Sequence, residues 1–165
     1  METLLNWVIA TLNGSALNGL VMDNRYVFPM LEMAHFIGLS LLFGALLVVD
    51  LRMVGVARRV PMQRVDLFVR FAPIGFAINL VTGLLFLVGD SDRYLVNVAF
   101  WAKMGMIALA GLNTAYFVRR IKPQMAAGVD SADLAGGART VAVLSLAFWC
   151  SVIVLGRFIP YVEDL

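Results

Sequence analysis

Six polar side chains stand where the sequence is otherwise apolar, and their types suit haem or proton chemistry. Glu32 and His35 fall one helical turn apart in the run from Pro29 to Val49. Asn79 and Thr82 repeat that spacing in a second apolar run, Lys103 enters a third, and Arg157 comes near the end of a fourth. An ionisable group deep in a membrane helix costs about 2.5–3.5 kcal/mol on insertion scales, so such groups turn towards a bundle interior and usually have a function. His35 is the only histidine. A neutral imidazole in apolar surroundings needs a hydrogen-bond partner. Its ring nitrogen can also be the axial ligand of a b-type haem, whose propionates are neutralised by cations at the membrane edge. Lys103 and Arg157 suit that second role, and Gly38, one turn beyond His35, would let a flat macrocycle approach the helix. Met33, Met104, Met106, a second protomer or an open position would complete the coordination of a metal held by His35.

The same residues admit two other accounts. In a structural one, Glu32 pairs with Lys103 or Arg157, His35 bonds a carbonyl or Thr82, and the two cations snorkel to the headgroups. In the other, Glu32, His35 and Lys103 form a proton or ion relay in a small transporter. Weaker signals read as architecture. Asp50 and Arg52 pair with each other or cap neighbouring helices. Gly75, Asn79 and Gly83 make one small face, and Gly105, Ala108, Gly111 and Ala115 another, which implies close helix contact within the bundle or between protomers. Trp149 is mid-span, so its indole N–H needs an internal acceptor. The one cysteine, Cys150, excludes an intramolecular disulfide and reads as a small buried hydrophobe. There is no nucleophile elbow, phosphate loop or His/Glu metal box.

The elements that must position these groups are membrane helices. Hydrophobic residues make up 61% of the 165 and charged ones 15%, with a mean hydropathy of +0.87. A soluble domain carries about 25% charged residues, so the excess apolar surface faces a bilayer. Spans are expected over about Pro29–Val49, Leu67–Val88, Phe100–Val118 and Thr140–Ile159. Each is roughly 20 residues, or about 30 Å of helix, enough to cross the hydrocarbon. Pro73 predicts a kink near the start of the second, and Arg119 to Pro123 the end of the third. Gly89 to Asp92 read as a turn, and residues 126–137 as a polar loop. Residues 2–12 put Leu4, Leu5, Val8, Ile9 and Leu12 on one stripe, an interfacial helix with Trp7 at headgroup level. Asn13-Gly14-Ser15 and Asn18-Gly19 then loosen the chain. Glu2 and the asparagines argue against a cleaved signal peptide. The expectation is an all-α, up-and-down four-helix transmembrane bundle with an N-terminal interfacial helix, one domain over 1–165 with no room for a soluble one.

Charge sets the orientation. Arg52, Arg58, Arg59, Arg64, Arg119, Arg120, Lys122 and Arg139 fall in or beside the first and third connections. Only Arg25 and Arg93 lie on the other side. Positive loops stay cytoplasmic, so both termini face outwards and the six polar groups gather in the outer half of the bilayer. With a net charge of +2 spread over short loops, the basic residues are a topology signal and not a nucleic-acid surface.

The run Phe28-Pro29-Met30-Leu31-Glu32-Met33-Ala34-His35-Phe36-Ile37-Gly38, then Gly44 and Val49-Asp50-Leu51-Arg52-Met53-Val54-Gly55, resembles a family of small bacterial membrane proteins of unknown function. Thr82-Gly83, Lys103, Gly156-Arg157 and Tyr161 extend the resemblance over nearly the whole chain. It implies a fold and topology in the bacterial inner membrane, and no activity. His35 and Phe100-Trp101-Ala102-Lys103 are also distantly similar to the membrane protoporphyrinogen oxidase and copper-resistance D families. That likeness implies haem. The oxidase arginine after the first-span histidine has no counterpart here, so porphyrinogen oxidation is not implied. The resulting expectation is a haem b or quinone-linked redox protein with lipid around it, as a homodimer or with a membrane-complex partner. The alternatives are a non-enzymatic subunit and the transporter.

Overall fold

The long apolar runs, with few acidic or basic residues, leave the backbone one way to satisfy its own hydrogen bonds in lipid, which is to coil into helices. The computed structural model describes residues 2–56, 59–130, 132–134 and 136–162 and is helical throughout, with no strand among the described residues. Arg58 lies outside the described residues. Nine α-helices are present among them: α1 (Glu2–Asn13), α2 (Ala16–Met22), α3 (Val27–Val54), α4 (Met62–Val69), α5 (Phe71–Gly89), α6 (Ser91–Leu95), α7 (Val98–Tyr116), α8 (Lys122–Ala126) and α9 (Ala138–Phe158). Four continuous stretches are long and apolar enough to cross a membrane: Val27–Val54, Arg64–Gly89, Val98–Ala126 and Ala138–Tyr161.

The spans are longer than the apolar runs alone predict. The first continues past Asp50 and Arg52 and stops only at Gly55, whose φ of 100° is the left-handed C-cap conformation that glycine adopts without a Cβ penalty. The second breaks at Arg70, three residues before Pro73. The missing N–H and the ring of a proline disrupt the preceding turn, which leaves a one-residue break at Arg70 while Arg64–Gly89 still runs as one stretch. The third does not stop at Arg119–Pro123. It widens into a π-turn over Phe117–Ile121, where Lys122 N–H reaches back to the Phe117 carbonyl, and continues as α8. The wider turn absorbs Pro123 without ending the helix. Asp90–Asp92, expected as a bare turn, leads directly into α6.

The N-terminal region also departs from expectation. α1 and α2 meet at 64°, and residues 16–22 are helical, not a loosened link. Asparagine is the reason. Asn18 Nδ2 donates to the carbonyls of Val88 and Gly89 at 2.9 and 3.0 Å, taking up acceptors that the end of α5 leaves open. Asn13 donates to Asp92 and accepts from Ser91. Val21, 1% exposed, packs onto Gly89, where a Cβ would sit 2.9 Å from Val21 Cγ1.

Helix α3 is the spine: it packs on α5 and on α9, and α9 packs on α7. α5 and α7, the two helices left over, hardly approach each other, so the ring of four is open along one side. The densest core lies at the end of the bundle near Arg52, where Met53, Met62, Ile121 and Met125 are at most 3% exposed. Flexible thioethers suit this crowded junction of α3, α4, α8 and α9. Arg52 is buried there. Its Nε donates to Val60 O at 2.8 Å and its Nη2 pairs with Asp130 at 2.7 Å, so its carboxylate partner is Asp130 and not Asp50. Cys150 is exposed on α9, contrary to the expectation of burial, because the helix turns Trp149 inward instead.

Candidate functional site

Helix α3 carries His35 to its contact with α5, where the small residues Gly75 and Gly83 bring the helices close. His35 Nδ1 is 2.7 Å from Thr82 Oγ1, and that hydroxyl is 2.8 Å from the Ile78 carbonyl one turn back. A hydroxyl has one hydrogen. The arrangement that satisfies every group has Thr82 donating to Ile78 O and accepting from the imidazole Nδ1–H. The lone pair of the ring is then on Nε2, which makes Nε2 the basic and metal-ligating atom. Phe86 holds the ring in place, its centroid 5.4 Å from that of His35, and Phe28 packs on Phe86 at the same distance. Gly83 lies beside the ring, with a Cβ there only 3.9 Å from His35 Cε1.

Lys103 of α7 reaches the same half of the bundle. It lies over Gly156 of α9, where a Cβ would be 3.4 Å from Nζ, and it is within electrostatic reach of His35. Asn79 Nδ2 donates to Gly75 O at 3.0 Å, while its buried Oδ1 has no partner. The structure therefore gathers His35, Thr82, Asn79 and Lys103. It leaves the other two apart. Glu32 is on the exposed face of α3, and Arg157 is exposed beside Tyr161, with Nη2 3.0 Å from the phenol oxygen and the guanidinium over the ring. Gly38 offers no approach to a macrocycle. It is buried, and a Cβ would lie 2.8 Å from both Asn79 Nδ2 and Ile78 Cγ2, so α5 itself occupies that side. No three His, Cys, Asp or Glu side chains cluster as a metal site among the described residues. A metal here would rest on His35 and not on a cage.

A second polar group, towards the Arg52 end, is not resolved by sequence pattern. A cavity of about 600 Å³ lies on the open side between α5 and α7, walled largely by apolar side chains such as Leu42, Phe76 and Ile107. Asp50 of α3 and Trp149 and Ser145 of α9 line it. Asp50 is 4% exposed and lies beside Ser145, and its Oδ2 has no partner. Trp149 is 7% exposed, and its Nε1–H is likewise unpartnered, so the internal acceptor expected for it is missing. The signal was present in Asp50, a carboxylate within an apolar helix, but its neighbour Arg52 suggested a simple pair. Asn97 was missed too: it caps α7 through Ala99 N and Phe100 N and donates to Ile159 O of the last turn.

Residues 22–162 match the model of a family described as a family of unknown function, DUF6644, and the chain belongs to that family. No curated protein and no solved structure matches it.

Proposed function

We propose that this family member is a redox protein of the bacterial inner membrane that holds a b-type haem through His35, in the half of the bundle facing away from the cytoplasm, and exchanges electrons with a quinone. One observation carries the reading: the Thr82 hydroxyl engages Nδ1, which leaves Nε2 as the ligating atom. Haem-ligating histidines are oriented by such a bond on the second nitrogen. Support comes also from Lys103, a cation at the same level with an anionic propionate as its natural partner. The distant similarity of Phe100-Trp101-Ala102-Lys103 to the protoporphyrinogen oxidase and copper-resistance D families points the same way. The concentration of arginines at the Arg52 end favours both termini outside the cytoplasm. When bound, the haem would supply one-electron chemistry; the chain supplies the ligand, its orientation and a water-poor surround.

The visible spectrum is the test. Purified protein, as isolated or after haem reconstitution, is expected to show a Soret band that His35→Ala removes and Arg119→Ala retains. Absence of the band under both conditions overturns the reading.

A second reading, a non-enzymatic subunit of a larger assembly or a homodimer, is favoured by one face of α7. Gly105 and Ala108 are exposed there, and a Cβ at Gly105 or Gly111 would meet nothing within 4 Å. Those small residues, expected to make a close helix contact, have no partner helix within the described part of the chain. The assembly mass in nanodiscs, compared with that of Ala108→Leu, tests it.

A further inference from the structure

Two buried polar atoms of opposite sense point to what the cavity between α5 and α7 accepts. We propose that it binds a quinol-class molecule, a ring head carrying a hydroxyl donor and a neighbouring oxygen acceptor on an apolar tail. Asp50 Oδ2 would accept from the hydroxyl, and Trp149 Nε1–H would donate to the second oxygen.

The volume of about 600 Å³ falls in the range of small-molecule sites, and so does the character of the wall, apolar with a few convergent polar groups. Ser145 lies one turn before Trp149 on α9 and beside the Asp50 carboxylate, whose Oδ2 is buried at the cavity wall without a partner. The Phe76 ring stands edge-on to Trp149 at 6.4 Å, forming an aromatic wall against which a planar head can lie. Entry is lateral. Because α5 and α7 barely approach, the cavity opens on the side that faces lipid, the phase in which an isoprenoid quinol is dissolved.

Buried donors and acceptors are rarely left unpaired, since a lost partner carries the full desolvation penalty of the group. A simple acyl chain would fill the cavity and satisfy neither atom. A lone cation would satisfy Asp50 and leave the indole N–H open. A head with both functions satisfies both. Arg70 and Lys122 also line the cavity; a phospholipid held by its phosphate would use these two and ignore the buried pair. His35 is not among the lining residues. The inference gives a site to the quinone partner of the redox reading, but the binding requires no haem, so the two can fail separately.

The test is equilibrium binding to the full chain in nanodiscs, with decylubiquinol, decylubiquinone and phosphatidylglycerol as probes. The quinol should bind one per chain, at least tenfold tighter than the quinone, which lacks the donor for Asp50. Asp50→Leu should remove that preference, Trp149→Phe should weaken both forms at least tenfold, and Arg119→Ala, exposed and outside the cavity lining, should change neither. Thermal melts of the variants establish that they fold, and a variant that does not is replaced by Ser145→Ala, which frees the carboxylate and should weaken the quinol selectively. The proposal is overturned if the quinol and quinone bind equally to wild type, if neither binds, or if only phosphatidylglycerol binds and its binding depends on Arg70 and Lys122.

Discussion

Gly38 and Gly75 meet backbone to backbone: a Cβ added to Gly75 would fall 2.6 Å from the Gly38 carbonyl oxygen and 2.5 Å from Leu42 N. This is the crossing point of α3 and α5, and it sets how near His35 comes to Thr82. Backbone atoms cannot move aside as a flexible side chain can. Gly75→Ala is therefore expected to cost at least the 1–3 kcal/mol roughly typical of overpacking. It should lower the thermal midpoint in detergent. Gly105→Ala, whose Cβ meets nothing within 4 Å, should stay within about 0.5 kcal/mol of wild type. Equal effects at the two positions would contradict the crossing geometry.

The Arg52–Asp130 pair is lopsided, with side chains 3% and 61% exposed. Loss of the exposed carboxylate takes one charge-assisted bond from the buried guanidinium, whereas loss of the buried partner leaves a hydrated carboxylate. Asp130→Ala should lower stability by about 1 kcal/mol, below the roughly 1.5–3 kcal/mol of hydrogen bonds to charged groups because the carboxylate is exposed. Asp130→Asn keeps an acceptor and should lose less. Denaturant melts of the two variants compare them, and an unchanged midpoint in Asp130→Ala would show the pair to be ornamental.

Most of the fold was legible because apolar periodicity and length are local properties. The four spans and the contact of His35 with Thr82, one of the partners the sequence offers it, follow from such properties. What was not legible depends on contacts between distant positions. Asn18 reads as a helix breaker until Val88 and Gly89 are beside it. Arg52 reads as the partner of Asp50 until Asp130, 78 residues away, is folded against it. Cys150 and Trp149 are neighbours in one apolar run, and only the rotation of α9 decides which faces inward. The cavity is of the same kind. It exists because α5 and α7 fail to close, and no pattern within either helix encodes that.

Asn18 ties α2 to the end of α5, and its removal should be felt locally. Asn18→Leu keeps the bulk and deletes both bonds to Val88 O and Gly89 O. Docking of the first 22 residues should weaken by about 1–3 kcal/mol, the cost of leaving such groups unpaired. Arg25 is exposed in the link between α2 and α3. Its tryptic cleavage, followed by mass spectrometry, should accelerate in the variant while the melting of the four long helices barely shifts. An unaltered cleavage rate would mean that apolar contacts such as Val21 on Gly89 suffice.

Orientation is testable with single cysteines introduced after Cys150→Ser. Arginines are abundant in the connections at the Arg52 end and sparse at the other, which predicts that end to be cytoplasmic. An impermeant maleimide added to intact cells with a permeabilised outer membrane should label Asp92→Cys. It should label Arg59→Cys only after the inner membrane is opened. The reverse pattern would turn the molecule over and move the His35 site to the cytoplasmic half.

Thr82 provides the most discriminating check on the haem reading, because it is expected to act through His35 and not on the ligand. Thr82→Val is nearly isosteric but removes the oxygen that accepts from Nδ1–H, so the imidazole loses both its preferred tautomer and its orientation. Losing such a supporting partner typically costs about 10–100-fold in metal affinity. Haem titrations followed at the Soret maximum should show that loss in Thr82→Val and near wild-type affinity in Thr82→Ser, which restores the hydroxyl. His35→Ala should show no specific binding. A purely structural Thr82 would give the opposite ordering of readouts: Thr82→Val would lower the melting temperature while the haem affinity of the folded fraction stayed constant. Only the combination of intact folding, weakened haem binding and rescue by serine assigns Thr82 the role of fixing the ligand nitrogen.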